Sequence, residues 1–364
     1  MLRQFLFAAL LPNLALIGAA VQAQDLDALP HYRAESRVAG TIRMFGSDLA
    51  GQILAWEKGF AKFHPGVRFV NRFPSSDGAV GGMISKVADL GPSGRELVLT
   101  EYLMFNETFG YDPEQIAVAT GAFDRAGRSW APVIYVHRDN PIRQLTLQQL
   151  DGIFGAQRSG GYQGLKWMPQ NARGPELNIR SWGDLGLTGE WADKPIQTYG
   201  YALTGMSNFF QLKVFHGGDK WNPNYRQFVE TGTKMVAEGP VGATGGIRHM
   251  LTEELAKNRY GIAWTGIPQA VGVPELKILA LAAQPGGSYV LPTRETVMDR
   301  SYPLARSVFI YINRAPGKRL LAPQREFLRY VLSREGQKEV LRNGNYLPLT
   351  PAFVDEERRK LDGP

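Results

Sequence analysis

Three times along this chain, an apolar strand-like segment runs through a turn of small polar residues into a helical pattern. The first turn is Gly46-Ser47-Asp48, the second follows Phe73 and the third follows Tyr199. Further apolar strand-like segments and helical patterns alternate along the rest of the chain. This alternation predicts an α/β fold in which parallel strands are joined by helical crossovers.

Each of these turns is suited to holding an anion. The first N–H groups of a helix lack partners within the helix, and the peptide dipoles leave partial positive charge there. Small residues let the backbone approach a ligand, and the hydroxyls of Ser47, Ser76 and Thr204 add donors. Taken singly, each hydroxyl is better explained as an ordinary helix cap. Because such turns meet at the carboxyl ends of strands, their joint occurrence favours one site for a small tetrahedral anion.

Length and the N-terminal segment predict an exported protein with two domains. The chain has 364 residues, of which 44% are hydrophobic and 21% charged, which is enough for two cores. Residues 1–23 combine Arg3 with an apolar run and end in Val21-Gln22-Ala23. This pattern is typical of a cleavable secretory signal peptide. Residues 24–40 are predicted to be an extended leader that precedes the fold.

Residue counts and spacing exclude several chemistries. The absence of cysteine excludes a disulfide framework, a thiolate metal site and a cysteine nucleophile. The five histidines show no i, i+4 pairing and no HExxH pattern, so no zinc site is expected. No Walker loop and no GxGxxG turn occurs, so no cofactor is expected either. The net charge of +7 is modest and its cations are dispersed, which suits attraction of small anions rather than binding of nucleic acid.

The stretches around the three turns also carry a family resemblance. MFGSDLAGQILAWEKGFAKFHPGVRF, SSDGAVGGMISKVADLGPSGREL, VIYVHRDNPIRQLTLQQLDGIFG, SWGDLGLTGEW, YPLARSVFIYINR and LRYVLSREGQKEVLRNGNYLPL resemble, in order, the periplasmic phosphate-binding proteins of ABC transporters. The resemblance implies a two-lobed type II periplasmic-binding fold with two interlobe crossings and a central cleft. Lobe one would contain residues 41–132 and 303–364, and lobe two residues 133–302.

The same resemblance implies a function. It implies a periplasmic, non-enzymatic receptor, expected to be a monomer, that captures phosphate or a similar oxyanion in the cleft. The receptor would deliver this ligand to permease subunits that work with a cytoplasmic ATPase.

Candidate ligand contacts follow from the resemblance, residue by residue. The contacts of the family's first turn fall on Ser47 and Asp48, and its second-turn serine falls on Ser76. Gly94 stands where the family usually has a serine. The adjacent Arg95 is a candidate cation for the anion, or else a member of a surface or hinge ion pair.

Two of the turns depart from the family pattern. In the third turn, Tyr201 stands near the position of an anion-binding arginine, Thr204-Gly205 keeps a hydroxyl and a glycine, and Met206 replaces the last threonine. Loss of a bidentate arginine removes about 1.5 to 3 kcal/mol, or about one to two decades of affinity. In the second turn, Gly-Ser-Gly has become Ser75-Ser76-Asp77, and either Asp77 or Asp48 is a candidate to accept the proton of hydrogen phosphate. The alternative for Asp77 is a turn-forming residue that faces solvent.

Two other functions remain open at the level of the sequence. One is a member of the same family whose altered cleft serves sensing, adhesion or matrix organisation. The other is a secreted phosphatase or esterase with Ser47 or Ser76 as nucleophile, since the members of a catalytic triad can be scattered along a chain. Within a transport function, a related oxyanion or a small polar solute is the alternative ligand.

Overall fold

A computed structural model describes residues 26–202, 205–229 and 243–363 of the protein. The predicted signal peptide, residues 1–23, lies outside these described residues. Two large β-sheets organise the described chain, one of five strands and one of six. Among the described helices, none is both long and apolar enough to cross a membrane.

The strands, in chain order, are β1 (Gly40–Phe45), β2 (Val67–Arg72), β3 (Leu90–Ser93), β4 (Glu114–Thr120), β5 (Val133–His137), β6 (Gln144–Thr146), β7 (Gly161–Gln163), β8 (Lys166–Met168), β9 (Gln197–Tyr201), β10 (Arg226–Val229), β11 (Ala243–Gly246), β12 (Gly261–Thr265), β13 (Leu276–Ile278), β14 (Ala280–Ala282) and β15 (Ser307–Ile312).

The helices are α1 (Gln52–Phe60), α2 (Gly78–Ile84), α3 (Leu99–Phe109), α4 (Leu147–Phe154), α5 (Gly205–Val214), α6 (Ile247–His249), α7 (Ile267–Ala270), α8 (Arg294–Met298), α9 (Ala322–Val331), α10 (Arg334–Asn343) and α11 (Pro351–Asp362). A π-helical segment, Met250–Leu255, continues α6.

The first sheet has the strand order β2-β1-β3-β15-β4. β1 pairs in parallel with β2 and β3, but β15 pairs antiparallel with β3 and β4. The sheet is therefore mixed: β1, β2 and β3 are parallel, as the sequence predicts, and β15 is antiparallel to its two neighbours. The physical reason is that β15 returns from the second sheet and does not enter through a strand-helix-strand crossover, which is what forces neighbouring strands to be parallel.

The second sheet has the order β11-β10-β9-β12-β5-β13. β9 pairs in parallel with β10 and β12, and β5 pairs antiparallel with β12 and β13. The described chain enters this sheet between β4 and β5 and returns to the first sheet before β15. Two smaller pairs complete the topology, β14 with β6 and the hairpin β7-β8.

Local signals in the sequence fix several helix ends. Thr146 caps α4: its Oγ1 accepts the Gln149 N–H at 3.1 Å, and the Gln149 side chain accepts the Thr146 N–H at 2.9 Å. This capping box confirms the start predicted for α4. Gly344 ends α10 with φ 68°, a left-handed conformation that glycine adopts without a Cβ penalty.

The leader packs on the first sheet's side of the molecule. Leu26, Leu29 and Tyr32 are buried in the main core. The Tyr32 hydroxyl donates to Glu326 of α9 at 2.7 Å. The Tyr32 ring also packs edge-to-face on Tyr330 of α9, with centroids 5.4 Å apart. The described part of the leader, from residue 26 onward, therefore belongs to the folded core.

Candidate anion-binding site

A cleft of about 360 Å³ opens where loops of the first sheet face the start of α5. Six of the residues predicted from the sequence line it: Ser47, Asp48, Ser76, Arg95, Tyr201 and Gly205. The other lining residues are Ala50, Gly94, Gly127, Arg128, Ser129, Met206, Val229, Arg306 and Tyr346. Thr204, the remaining predicted hydroxyl, lies outside the described residues. Asp77 is not among the lining residues, but it contacts one of them.

The first turn is longer than the sequence predicts. Leu49 and Ala50 have φ values of 49° and 60°, and Gly51 follows with φ 78°, so α1 begins only at Gln52. Left-handed backbone is uncommon for non-glycine residues and is tolerated where the surrounding structure enforces it. Leu49 is completely buried, so its packing in the core holds the turn in this shape.

Ser47 therefore does not open a helix, and that expectation is wrong. Its N–H donates to the Pro92 carbonyl at 2.8 Å, which extends the pairing of β1. Its Oγ accepts the Leu49 N–H at 3.1 Å. Since a hydroxyl has one donor as well as its acceptor lone pairs, the Ser47 O–H remains free to donate into the cleft. The contribution of the first turn is a side-chain hydroxyl rather than bare helix amides.

Two serines, Ser76 of the second turn and Ser129, hold the backbone of Gly94, which follows β3. The Ser76 Oγ accepts the Gly94 N–H at 2.9 Å, and the Ser129 hydroxyl donates closely to the Gly94 carbonyl. The Ser76 O–H is thus available as a donor to a ligand. Ser129 was not found by sequence reasoning, because it lies in a loop after β4 that has no pattern of its own.

Arg95 is held by two carboxylates. It forms a bidentate pair with Glu101 at 2.7 and 2.8 Å, and its Nε donates to Asp77 at 3.0 Å. Burial lowers the pKa of Arg95, but the hydrogen bonds and charges of Glu101 and Asp77 outweigh burial and raise it. Asp77 therefore serves as an ion-pair partner, and the charge of Arg95 is already compensated within the protein.

Arg306 supplies a cation that the sequence did not indicate. Its side chain is fully buried, pairs with Glu96 at 2.6 Å and lies 4.7 Å from the centroid of the Phe209 ring. Its Nη1 donates to the Met206 sulfur at 2.6 Å, so part of the guanidinium faces a weak acceptor. Its Nε has no hydrogen-bond partner among the described residues. Arg306 precedes β15, far in sequence from all three turns.

Arg128 is the second cation that sequence reasoning missed. It donates to the Asn345 side chain at 3.2 Å and to the Gly127 carbonyl at 3.0 Å. Within the described parts of the chain, no carboxylate pairs with it. Beside it lies Tyr346, whose pKa is raised by burial against the lowering effect of the Arg128 charge and of a hydrogen bond with Ser129. Tyr346 is therefore a neutral phenol at physiological pH.

Contacts across the cleft join the two sides of the molecule. A Cβ at Gly205 would lie 2.5 Å from the Arg95 Cδ, so only glycine lets the start of α5 approach so closely. Next to this contact, the Asn208 side chain donates to the Leu97 carbonyl at 3.3 Å. The cleft is therefore narrow on this side.

The remaining predicted residues fall into two groups. Tyr201 is buried, and its ring centroid lies 5.3 Å from that of Trp130 and 5.2 Å from that of Trp264. Asp48 is exposed at the mouth, where its Oδ1 accepts the Ala50 N–H at 3.0 Å.

In the described structure, the hydroxyl oxygens of Ser47 and Ser76 accept from backbone amides, and neither is hydrogen-bonded to a histidine. No group of three or more metal-ligating side chains occurs among the described residues.

Two sheets flanked by helices, joined by paired crossings and enclosing a cleft, define the class of two-lobed periplasmic-binding proteins. Solved structures show the same fold: PstS from Borrelia burgdorferi (16% identity, 85% of this chain and 99% of that one, TM-score 0.52) and an ABC-type phosphate transport receptor from Vibrio cholerae (15% identity, 84% and 100%, TM-score 0.50). The fold expected from the sequence is thereby confirmed.

Sequence comparison identifies the family within that class. The phosphate-binding protein PstS of Pseudomonas aeruginosa, in strains PAO1 and UCBPP-PA14, is 33% identical over 358 residues, which cover 98% of this chain and 97% of the relative. No protein-family model matches the chain. At this identity and coverage, the chain belongs to the PstS family of phosphate-binding proteins, whose named members are binding proteins rather than enzymes.

Proposed function

We propose that this protein captures phosphate in the cleft and presents it to an ABC permease driven by a cytoplasmic ATPase. The observation that carries the proposal is the meeting of Arg128 and Arg306 with the hydroxyls of Ser47 and Ser76 in one cleft. The 33% identity to PstS over 98% of the chain supports the same ligand and the same partner.

The cleft offers an anion both positive charge and directed hydrogen-bond donors. Arg128 lacks a carboxylate partner in the described structure. The buried Arg306 is paired with Glu96, but its Nε lacks an acceptor. A hydrogen bond from a charged donor contributes about 1.5 to 3 kcal/mol. The hydroxyls of Ser47 and Ser76 already accept a backbone N–H each, so their protons point to an outside acceptor such as a phosphate oxygen. We assign the role of the missing third-turn arginine to these two cations.

We assign the remaining predicted residues to supporting roles. Asp48, which keeps one carboxylate oxygen without a hydrogen bond, is placed to accept the proton of hydrogen phosphate. Arg95, with Asp77, shapes the wall of the cleft opposite Gly205. Tyr201 and the third-turn pair Thr204-Gly205 complete the proposed contacts.

The proposed mechanism is reversible binding with closure of two lobes. Lobe one would comprise residues 41–132 and 303–364, and lobe two residues 133–302. A ligand that contacts both lobes binds the closed state better than the open one and so shifts the population toward it. The permease then distinguishes the closed, loaded receptor from the open, empty one.

Calorimetry on the purified protein tests the ligand. We expect saturable one-to-one binding of phosphate, and an Arg128→Gln variant that binds at least about tenfold more weakly, since a charge-assisted contact is lost. The matched control is Arg125→Gln, because Arg125 is exposed in the same loop and does not line the cleft. Phosphate binding that is absent, or equally strong in the Arg128 variant, would refute the proposed site.

We further propose export to the periplasm by cleavage after residue 23, and a monomeric receptor. The relatives in this family support this location, and residues 1–23 have the composition of a signal peptide. Mass spectrometry of the protein from a periplasmic extract would give the mature N-terminus, and sedimentation would give its mass in solution. A mature chain that still carries residues 1–23 would contradict cleavage.

A further inference from the structure

A second cavity, of about 430 Å³, lies further along the line of contact marked by Asn208 and Leu97. We call it the seam cavity. It is lined by Leu97, Leu99, Tyr102, Arg158, Ser159, Gly160, Tyr162, Gly164, Trp167, Asn208, Gln211, Leu212, Gly217, Gly218, Asp219 and Lys220. Its walls come from α3, which lies between two strands of the first sheet, and from the hairpin β7-β8 and α5, which belong to the part of the chain that contains the second sheet. Its volume lies in the range usual for small-molecule sites, about 300 to 1,000 Å³.

The charged side chains that line the seam cavity already have partners. Arg158 forms a bidentate pair with the buried Asp151 at 2.7 and 2.7 Å, and Arg173, which lies outside the lining, contacts the same carboxylate at 3.2 Å. Asp219 and Lys220 lie 3.5 Å apart at the rim. A charged ligand would therefore lose its hydration without gaining an unpaired partner, which is unfavourable. This lining selects an uncharged ligand and so differs from the anion-binding cleft.

Uncommitted polar groups face the seam cavity. The Tyr102 hydroxyl, the Gln211 carboxamide and the Ser159 hydroxyl make no hydrogen bond to any other described residue. Each of these groups both donates and accepts hydrogen bonds. They match a ligand rich in hydroxyl groups, which likewise donate and accept.

Two aromatic rings stand exposed at the mouth of the seam cavity. Tyr162 and Trp167, paired across the hairpin, are 40% and 44% exposed, and their ring centroids lie 5.0 Å apart in an edge-to-face arrangement. Leu97, Leu99 and Leu212 line the cavity as well. Such rings combine a large apolar face with a polar edge, which suits a ligand that has both an apolar face and polar edges.

We propose that the seam cavity binds a neutral carbohydrate of about disaccharide size. The C–H face of a sugar ring would lie on Trp167 and Tyr162, and its hydroxyls would bond Tyr102 and Gln211. Charged side chains that are already paired, free hydrogen-bonding groups and exposed aromatic rings occur together at this cavity, and a neutral sugar fits all three. The proposal does not depend on what the anion cleft binds.

Titration with cellobiose and with maltose, in phosphate-free buffer, tests the proposal by calorimetry and tryptophan fluorescence. We expect saturable one-to-one binding of at least one of these disaccharides. Trp167→Ala should weaken that binding about tenfold or more, because it removes most of the apolar contact. Tyr102→Phe, which removes only a hydroxyl, should weaken it about fivefold.

The matched control is Tyr289→Ala, because Tyr289 is 39% exposed and does not line the cavity. It should bind the disaccharide like the unsubstituted protein, and thermal unfolding would verify that every variant is folded. The proposal is overturned if neither disaccharide binds saturably, or if Trp167→Ala and Tyr102→Phe bind it as tightly as the unsubstituted protein. A phosphate titration of Trp167→Ala, which we expect to be unchanged, keeps this result separate from the function of the anion cleft.

Discussion

Ser129 fills the space that a side chain at Gly94 would need. An ideal Cβ at Gly94 would lie 2.7 Å from the Ser129 Oγ, and the Ser129 hydroxyl donates to the Gly94 carbonyl 35 residues earlier in the chain. Where the family resemblance leads us to expect a serine, this chain has Gly94, and a hydroxyl from another loop lies beside it. The two residues therefore pack together, and with the Ser129 hydroxyl in this position only glycine fits at residue 94 without a shift.

We predict that Gly94→Ser destabilises the protein unless Ser129 is also changed. The new side chain would displace the Ser129 hydroxyl and break its hydrogen bond, at a cost of about 1 to 2 kcal/mol in the free energy of unfolding. Gly94→Ser combined with Ser129→Ala should be more stable than the sum of the two single changes predicts. Urea unfolding of all four proteins measures this coupling. Strict additivity would show that the two residues are independent.

A second prediction concerns Met206 and Arg306. The Arg306 Nη1 donates to the Met206 sulfur, a weak acceptor, at 2.6 Å. Met206→Thr removes this acceptor, so one charged N–H should become available to the ligand. Phosphate affinity should rise about tenfold, which is the worth of one charge-assisted hydrogen bond. Calorimetry measures the change. Met104→Thr serves as control, since Met104 is exposed on α3 and does not line the cleft, and it should leave the affinity unaltered.

The two carboxylates that hold Arg95 should differ in importance. Glu101 is buried and also accepts the Val98 N–H at 2.9 Å. Glu101→Gln therefore removes the only buried negative charge that pairs with Arg95 among the described residues. We expect a loss of about 2 to 4 kcal/mol in the free energy of unfolding. The Asp77 side chain is 77% exposed, so Asp77→Asn should cost less than about 1 kcal/mol, and less still in high salt. Chemical denaturation at two salt concentrations measures both, and equal losses would contradict the assignment.

A pH prediction follows from His64. The imidazole is buried, its Nε2 lies 2.6 Å from the Tyr32 hydroxyl, and its Nδ1 accepts the Val38 N–H at 3.4 Å. Burial lowers the pKa of His64, against the opposing charge of Glu326. The folded protein therefore prefers the neutral ring. As the pH falls, the unfolded chain, in which the pKa of histidine is about 6.5, takes up the proton at a higher pH than the folded protein does.

The stability that neutral His64 contributes should accordingly be complete above about pH 6.5 and decline as the pH falls toward its lower folded value. Urea unfolding at a series of pH values would show a steeper loss on acidification for the unsubstituted protein than for His64→Gln. The control is His249→Gln, whose imidazole side chain is 51% exposed and which should follow the unsubstituted curve. A His64→Gln curve parallel to the unsubstituted one would exclude this role.

Much of the candidate site was foreseeable, but in a different arrangement. Ser47 and Ser76 do line one cleft, as the small polar turns suggested. Ser47, however, contributes a hydroxyl from a left-handed turn rather than helix amides, because the burial of Leu49 shifts the start of α1 to Gln52. Arg95 lies in the cleft wall, yet its charge is compensated by carboxylates that no local pattern marks as its partners.

The sequence alone determined those features that depend on residues a few positions apart. The Thr146 capping box, the end of α10 at Gly344 and the apolar strands all follow from hydrogen bonds and side-chain periodicity within one element. Only the tertiary structure brought Arg306 and Arg128 into the cleft and made the first sheet mixed. Such contacts join segments up to hundreds of residues apart, and they are set by how the two sheets and their loops pack, for which no short-range pattern exists.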